Sequence, residues 1–314
     1  MSGNDSRYFG AIEAGGTKIL CTLSNDRGEI IDQTRIPTGA EPAAVVQAIG
    51  TFFGQVSSPS NPLAAIGVGS FGPLSLDPSA DDYGAITATT KSGWGGFNWV
   101  QQLQHLSERP IILDTDVNCA ARAETLWGAG KGGGTICYVT VGTGIGIGII
   151  VDGKPFGGVT HLEAGHMFVR RASRDEVFAG VCPFHGDCLE GLASGPAIAA
   201  RWGQAAESLA PDHPALTMEV DYIAQLCVNL TYSMRPERII LGGGVMAYPG
   251  LLDKIAARFQ TLLGGYDAHA VRLDPQLYIV PPKSGPHSGL AGALAMAHKA
   301  ATDNWPAHGF ALKA

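Results

Sequence analysis

The sequence E-A-G-G-T-K at Glu13–Lys18 lies between two apolar runs, and a similar arrangement returns as V-G-T-G-I-G at Val141–Gly146. The residues on both sides of each glycine stretch have the apolar, β-branched composition of strands, so the pattern predicts strand, glycine turn, strand. Such a turn presents backbone N–H groups that can bind phosphate. Because each turn opens a β-rich segment, the repetition predicts a duplicated α/β architecture.

Both turns have a simpler alternative, which is an ordinary hairpin turn without a ligand. The first turn is not a Walker A loop, because the G-x-x-x-x-G-K-[ST] spacing is absent and no helix is expected after Lys18. The second turn resembles the Rossmann fingerprint only superficially, because a strand follows its glycines. The first turn alone favours the ordinary hairpin, whereas the repetition favours phosphate binding at both turns.

Four side chains that can bind a metal follow the second turn, namely His166, Cys182, His185 and Cys188. Two imidazoles and two thiolates are the ligand set of a closed tetrahedral Zn²⁺ site, and the Cys-x2-His-x2-Cys spacing puts three of them on one loop. The alternative is a set of scattered buried thiols, which this spacing disfavours. Carboxylates flank the ligands, so the sequence predicts a metal that supports a substrate site.

Asp116 stands between a buried strand predicted at Pro110–Leu113 and a helix predicted from Val117 to Leu126. An acidic residue at the carboxyl end of a strand lies where α/β folds place their chemistry. The alternative is that this aspartate is an ordinary helix N-cap. Position in the sequence leaves both open.

Helical periodicity and turn residues place the remaining elements. Trp94, in a loop at Thr87–Phe97, is either a sugar-stacking ring or the packed anchor of its loop. The tail at Asn304–Ala314 is expected to be loosely held. Further strands are predicted at Tyr8–Ile12, Ile19–Leu23, Glu29–Arg35, Ala64–Val68, Thr135–Val141, Ile147–Val151, Arg238–Leu241 and Leu277–Val280. Further helices are predicted at Glu41–Phe53, Asn98–Leu106, Gly195–Trp202, Met218–Met234, Leu251–Leu263 and Ser288–Lys299.

Composition excludes several classes of protein. The net charge of -7 gives nucleic-acid binding no electrostatic help. No apolar run approaches the length of a membrane span, and Met1–Tyr8 lacks a signal-peptide pattern. Most of the six cysteines stand singly, which fits reduced thiols better than a disulfide framework. A soluble, cytoplasmic protein is therefore expected.

The motifs E-A-G-G-T-K, D-T-D-V-N, V-G-T-G-I-G, H-L-E-A-G-H, C-P-F-H-G-D-C-L-E-G-L-A-S-G-P and L-G-G-G-V-M occur in this order between Phe9 and about Lys299. Together they resemble the ROK family of sugar kinases, and within it the zinc-containing bacterial fructokinases. The resemblance implies an α/β fold of two actin-like, RNase-H-like ATPase domains with the active site in an interdomain cleft. It places the first domain at residues 1–120 plus a C-terminal helix at about 288–300, and the second, which carries the zinc loop, at 121–287.

The resemblance also implies an ATP-dependent kinase that converts D-fructose to fructose 6-phosphate, with Asp116 as the general base. Thr115, Glu163, His166 and Glu190 are implied to bind the sugar, and His166 is also a ligand of a structural Zn²⁺. Mg²⁺ is implied to arrive with ATP, and the protein is implied to be a homodimer. The implied nucleotide-binding residues are Gly15, Gly16, Thr17, Lys18, Gly142, Thr143, Gly144, Pro196, Gly242, Gly243, Gly244, Val245 and Met246.

Three positions differ from many members of the family, which have Asp in place of Glu13, Asn in place of Thr115 and Cys in place of His185. The fructokinase branch resembles this chain at these positions, which favours fructose over glucose, although Thr115 makes fewer hydrogen bonds than Asn. One alternative is a kinase of mannose, glucose or an amino sugar. The other is a sensor of sugar and zinc without catalysis, against which Asp116 and two complete phosphate turns argue.

Overall fold

The structure is a computed structural model that describes residues 7–58, 61–158, 160–172, 175–266, 274–285 and 287–313. The described residues form two compact α/β units. Unit 1 comprises those within 1–128, 156–161 and 284–314, and unit 2 comprises those within 129–155 and 162–283.

The strands among these residues are β1 (Tyr8–Ala14), β2 (Lys18–Asn25), β3 (Ile30–Pro37), β4 (Ala65–Ser70), β5 (Ile112–Thr115), β6 (Thr135–Val141), β7 (Ile145–Val151), β8 (Lys154–Pro155), β9 (Arg238–Gly242) and β10 (Ile279–Val280). The described α-helices are α1 (Pro42–Phe53), α2 (Trp99–Leu103), α3 (Asp116–Leu126), α4 (Leu189–Ala193), α5 (Gly195–Trp202), α6 (Pro214–Met234), α7 (Leu251–Leu263), α8 (Pro275–Tyr278) and α9 (Ser288–Thr302). None of these helices is long and apolar enough to cross a membrane.

Unit 1 has a five-stranded sheet in the order β3-β2-β1-β4-β5. β1 and β2 are antiparallel across the first glycine turn, whereas β4 is parallel to β1 and β5 is parallel to β4. One face of the sheet packs against α3 and α9, and the other packs against α1 and the rings of Trp94 and Trp99. The carboxyl ends of the three parallel strands meet at one edge, where Ser70 of β4 aligns with Ala14 and with Thr115.

Unit 2 repeats this arrangement with the strand order β10-β9-β6-β7-β8. β6 and β7 are antiparallel across the second glycine turn, and β9 runs parallel to β6. The core combines the buried side chains of these strands with those of α6 and α7. β6 therefore occupies the place in its sheet that β1 occupies in the other, and the duplicated α/β architecture is confirmed.

Two predicted elements have wrong bounds. The strand predicted at Leu277–Val280 is mostly the helical turn α8, because Pro275 occupies its first position and Asp274 caps it by accepting the N–H of Gln276. Only β10 pairs as a strand there. The helix predicted at Met218–Met234 begins earlier, at the first residue of α6, where a proline again follows a side-chain cap. In both cases a helix start signal outweighs the apolar pattern.

The C-terminal tail is not loosely held, contrary to expectation. Trp127 donates its ring N–H to the carbonyl of Pro306 at 3.1 Å, and Phe310 packs edge-on against the same ring at 5.5 Å. The backbone of Lys313 exchanges two hydrogen bonds with the side chain of Gln33. The aromatic residues of the tail thus belong to the packing of unit 1.

Candidate active site

Asp116 lies at the junction of β5 and α3. Thr115 is the residue that caps the helix, because its Oγ1 accepts the N–H of Asn118 at 3.1 Å. Asp116 is instead the first helical residue, and its Oδ1 accepts the N–H of Val117 at 2.9 Å. The alternative that Asp116 is an ordinary N-cap is therefore wrong. The junction presents a half-buried carboxylate at the carboxyl end of a parallel strand.

Asp114 fixes the shape of this junction. Its buried Oδ1 accepts the side-chain N–H of Asn118 at 2.7 Å and the backbone N–H of Thr115 at 2.8 Å. Burial raises the pKa of Asp114, while the hydrogen bond from Asn118 and the charge of Arg122 oppose the shift. This supporting role was missed in the sequence, where the available signal is a second aspartate at the end of the same strand.

Glu13 brings a second carboxylate into the electrostatic environment of Asp116. Its Oε2 accepts the N–H of Leu290, in the first turn of α9, at 3.2 Å. Burial, and after it the charge of Asp116, raises the pKa of Glu13 to about 7, with Lys18 opposing. Near neutral pH the two carboxylates therefore do not both carry a full charge. The sequence marks Glu13 only as a difference from other family members; its place follows from the parallel pairing of β1, β4 and β5.

The first glycine turn is held by backbone and hydroxyl groups. The N–H of Gly15 donates to the carbonyl of Lys18 at 2.9 Å. Thr38 donates its hydroxyl to the carbonyl of Gly15 at 2.7 Å and its N–H to the carbonyl of Thr17 at 3.2 Å. Gly15, Gly16 and Thr17 thus form one partly exposed turn that ends at Lys18, the first residue of β2, in agreement with the predicted strand–turn–strand.

Trp94 is the packed anchor of its loop. Its side chain is 0% exposed, and its ring N–H donates to the carbonyl of Gly39 at 3.0 Å. The rings of Phe71, Phe97 and Trp99 surround it at centroid distances of 4.9–5.6 Å. A ring enclosed in this way presents no face to a sugar, so the sugar-stacking alternative is wrong.

In unit 2, the side chains of His166, Cys182, His185 and Cys188 form the His–Cys cluster, whose potential ligand atoms all lie within 4.8 Å of one another. The distances from Nδ1 of His166 to the two sulfurs are 3.4 and 3.7 Å, and Sγ of Cys182 lies 3.6 Å from Nδ1 of His185. Tetrahedral Zn²⁺ with ordinary bond lengths requires about 3.6 Å between sulfur and nitrogen ligands. The four residues therefore fit zinc.

The imidazole of His166 lies between the His–Cys cluster and two carboxylates. Nδ1 faces the sulfurs, whereas Nε2 lies 4.0 Å from Oε2 of Glu163 and 4.0 Å from Oε1 of Glu190. A ring with one nitrogen in a metal site has its tautomer fixed, so the other nitrogen is a defined donor. The structure brings together these three residues, all implied by the resemblance as sugar-binding.

The second glycine turn is held by groups from the segment that follows Cys188. The N–H of Gly195 donates to the carbonyl of Gly142 at 2.7 Å, and the N–H of Ile145 donates to Oε2 of Glu190 at 2.9 Å. A Cβ on Gly144 would lie only 2.6 Å from that same carboxylate oxygen. The turn and the carboxylate are therefore packed in direct contact.

The glycines after β9 lie against the start of the second turn. Gly243 has φ of +97°, and a Cβ there would lie 2.3 Å from the carbonyl oxygen of Val141, so glycine is required. A Cβ on Gly195, which precedes Pro196, would lie close to Gly142 and Val245. The structure thus brings three stretches implied for nucleotide binding, 142–144, 195–196 and 242–246, to neighbouring positions in unit 2.

Arg171 attaches the loop at 182–188, which carries three residues of the His–Cys cluster, to the body of unit 2, a role that was missed in the sequence. Its guanidinium pairs with Asp187 at 2.8 Å and donates to the carbonyls of Asp175 and Phe178. Asp175 in turn is buried and forms an ion pair with Arg201 of α5, in which Nη2 donates a hydrogen bond to Oδ2 at 2.9 Å and Nε lies 2.9 Å from Oδ1. An isolated arginine in a loop carries no spacing that would have marked this network.

Comparison with solved structures identifies the fold. The structure matches that of a ROK hexokinase from Thermus thermophilus with a TM-score of 0.72 at 24% sequence identity, over 95% of this chain and 100% of that one. Its two α/β units therefore have the actin-like ATPase fold.

Sequence comparison identifies the family. The model of the ROK family matches residues 9–300. The chain is 42% identical over 292 residues to a fructokinase of Pediococcus pentosaceus, covering 93% of this chain and 98% of that protein. It is 38% identical over 296 residues to a fructokinase of Zymomonas mobilis, covering 94% and 97%. The chain belongs to the ROK family.

Proposed function

We propose that the chain is a fructokinase, which transfers the γ-phosphoryl group of ATP to the 6-hydroxyl of D-fructose. The observation that carries the proposal is the 4.0 Å spacing from Nε2 of His166 to the carboxylate oxygens of Glu163 and Glu190. A sugar hydroxyl oxygen at about 2.8 Å from nitrogen and carboxylate oxygen spans such a gap, accepting from the imidazole and donating to the carboxylate. The similarity to two fructokinases supports fructose as the sugar.

In this reaction Asp116 accepts the proton of the 6-hydroxyl as the oxygen attacks the γ-phosphorus. Glu163, His166 and Glu190 hold other hydroxyls of the sugar. Thr115 already uses its oxygen as an acceptor in the cap of α3, so it has its hydroxyl proton to offer a sugar. The two glycine turns and the residues of 242–246, with Pro196, contact the nucleotide through backbone N–H groups and apolar surface.

The His–Cys cluster holds a structural Zn²⁺, and Mg²⁺ enters with the ATP phosphates. Burial raises the pKa of the Cys188 thiol to about 11, so its thiolate form needs a cation beside it. Four protein ligands close the site, and the metal supplies a cross-link that fixes the ring of His166. The proposal also includes a homodimer, which rests on the family resemblance. It includes a cytoplasmic location, which rests on the six cysteines that form no disulfide.

The test is the rate of coupled ADP release with ATP and Mg²⁺ against D-fructose, D-mannose, D-glucose and N-acetylglucosamine, with zinc content determined on the same sample. We expect a kcat/KM for fructose at least about tenfold above the others, and about one zinc per chain. Faster turnover of another hexose would move the substrate to that sugar and leave the mechanism intact. Sugar binding without ADP release would overturn the kinase and favour the sensor.

A further inference from the structure

The carboxylate of Glu190 has different neighbours at its two oxygens. Oε1 lies 4.0 Å from Nε2 of His166, and Oε2 accepts the N–H of Ile145 at 2.9 Å. Ile145 directly follows the glycine turn at 142–144. One half-buried side chain therefore borders both the proposed sugar group and the proposed phosphate turn.

The second turn has little freedom to move independently of this side chain. A Cβ on Gly144 would lie 2.6 Å from Oε2 of Glu190, so an alanine there must displace this carboxylate. On the other side of Ile145, a Cβ on Gly165 would lie 1.8 Å from the Ile145 carbonyl oxygen, so the short helical turn that carries His166 packs directly on this backbone. A shift of the Glu190 carboxylate is thus transmitted to the phosphate-facing N–H groups.

We propose that Glu190 is the positioning residue through which an occupied sugar site fixes the conformation of the phosphate turn. A sugar hydroxyl that donates to Oε1 holds the carboxylate, and Oε2 then holds the N–H of Ile145 in place. Because linkage is reciprocal, a nucleotide on the turn must favour sugar binding by the same factor. The inference rests on the proposed function, since it takes His166 and Glu190 as sugar contacts.

Binding of the probe Mg²⁺-AMPPNP in the absence of sugar tests the link directly. We expect Glu190→Ala to raise its Kd about tenfold, since the charge-assisted hydrogen bond to the turn is lost. Glu190→Gln retains an acceptor oxygen for Ile145, so it should bind the nucleotide within about twofold of wild type. Glu163→Ala is the matched control: it removes a carboxylate at the same distance from His166 and should weaken fructose binding alone.

Gly144→Ala provides the reverse experiment, in which the turn displaces the carboxylate. With no nucleotide present, we expect this variant to bind D-fructose about tenfold more weakly than wild type. A wild-type Kd for fructose in Gly144→Ala would overturn the proposal. A wild-type Kd for AMPPNP in folded Glu190→Ala would also overturn it. So would an equal loss of AMPPNP affinity in Glu163→Ala, because the effect would then come from the loss of a negative charge and not from the bond to Ile145.

The failure of the proposed function gives a different pattern. In that case wild-type protein itself fails to bind fructose or to release ADP with it. If the wild type binds both ligands and turns over fructose, while fructose leaves the AMPPNP Kd unchanged, the proposed function stands and the positioning role of Glu190 is refuted. If saturating fructose lowers the AMPPNP Kd in wild type and in Glu163→Ala but not in Glu190→Ala, the positioning role is supported.

Discussion

Each unit has two carboxylates close to a glycine turn, and the surroundings of these carboxylates differ between the two units. In unit 1, burial and the charge of Asp116 raise the pKa of Glu13 to about 7, so partial protonation near neutral pH reduces the repulsion between the two carboxylates. In unit 2, Glu163 and Glu190 stand on either side of an imidazole nitrogen. The same duplicated fold thus places a carboxyl group with a raised pKa in one unit and two carboxylates near an imidazole nitrogen in the other.

The two glycine turns are also held in place by different groups. The first is held by the hydroxyl and N–H of Thr38, which is a neighbour in its own sheet. The second is held by Glu190 and Gly195, which belong to the segment that follows the loop at 182–188. A change at Glu190 or Gly195 should therefore affect the second turn and leave the first unchanged.

The largest expected effect is on the chemistry assigned to unit 1. Asp116→Asn should lower kcat by about 10³-fold or more, because the amide cannot accept the hydroxyl proton. The Kd values for fructose and for Mg²⁺-AMPPNP should stay within about threefold of wild type. Asp77→Asn, which removes an exposed carboxylate of the same unit, is the control and should turn over normally. Near-normal kcat in Asp116→Asn would remove Asp116 from the role of base.

The next largest effect is expected when the metal is removed, and this effect should fall on unit 2. A chelator that binds Zn²⁺ far more tightly than Mg²⁺ should raise the KM for fructose about 10–100-fold, since the ring of His166 loses its fixed orientation. The KM for ATP should change less, because the bond from Ile145 to Glu190 does not involve the metal. Steady-state kinetics before and after adding Zn²⁺ back checks this. Equal loss for both substrates, or no loss, contradicts the division between the two sites.

A smaller effect is expected on stability. Arg171→Ala should lower the free energy of unfolding by about 2–3 kcal/mol, because it leaves Asp187 and two carbonyls without their donor. Arg7→Ala removes an exposed pair at 4.0 Å in unit 1 and should cost at most about 0.5 kcal/mol. Urea unfolding of both variants measures the difference. Similar values for the two would mean that the network of Arg171 does not hold the loop at 182–188.

A further effect concerns pH. Glu13 takes up a proton on folding, because its pKa in the fold, about 7, exceeds the ordinary 4.5. Wild type therefore loses stability relative to Glu13→Gln as pH rises from about 4.5 to 7, and the difference stays constant above that range. The gap between the melting temperatures, Glu13→Gln minus wild type, should therefore increase as pH rises through this range. For Asp77→Asn the gap should stay level above pH 5, since hydrogen bonds from Ser79 lower the pKa of Asp77. A level gap for Glu13→Gln would refute the raised pKa.

Much of this fold can be predicted from the sequence because its signals are local. The strand–turn–strand pairs at the two glycine stretches and the bounds of α5 and α7 follow from periodicity and turn residues. The His–Cys cluster follows from ligand spacing. In the case of Trp94, by contrast, the sequence leaves two alternatives, and only the packing of three aromatic rings decides between them.

The features missed in the sequence depend on contacts between distant residues. The raised pKa of Glu13 requires the pairing of β1, β4 and β5, and the link from Glu190 to Ile145 joins residues 45 positions apart. The docked tail is similar, since Phe310 meets Trp127 only in the folded unit. Such contacts leave no periodic or spacing signal in a single sequence, whereas caps and ligand sets do.

The most direct test of the account is the chemical identity of the product. Wild-type protein with zinc bound is incubated with D-fructose and ATP-Mg²⁺, ADP is quantified, and the sugar phosphate is assigned by NMR. We predict one fructose 6-phosphate for each ADP released. A phosphate on a different hydroxyl, ADP release without sugar phosphate, or fructose binding with no ADP would contradict the assignment of Asp116, Glu163, His166 and Glu190 to this reaction.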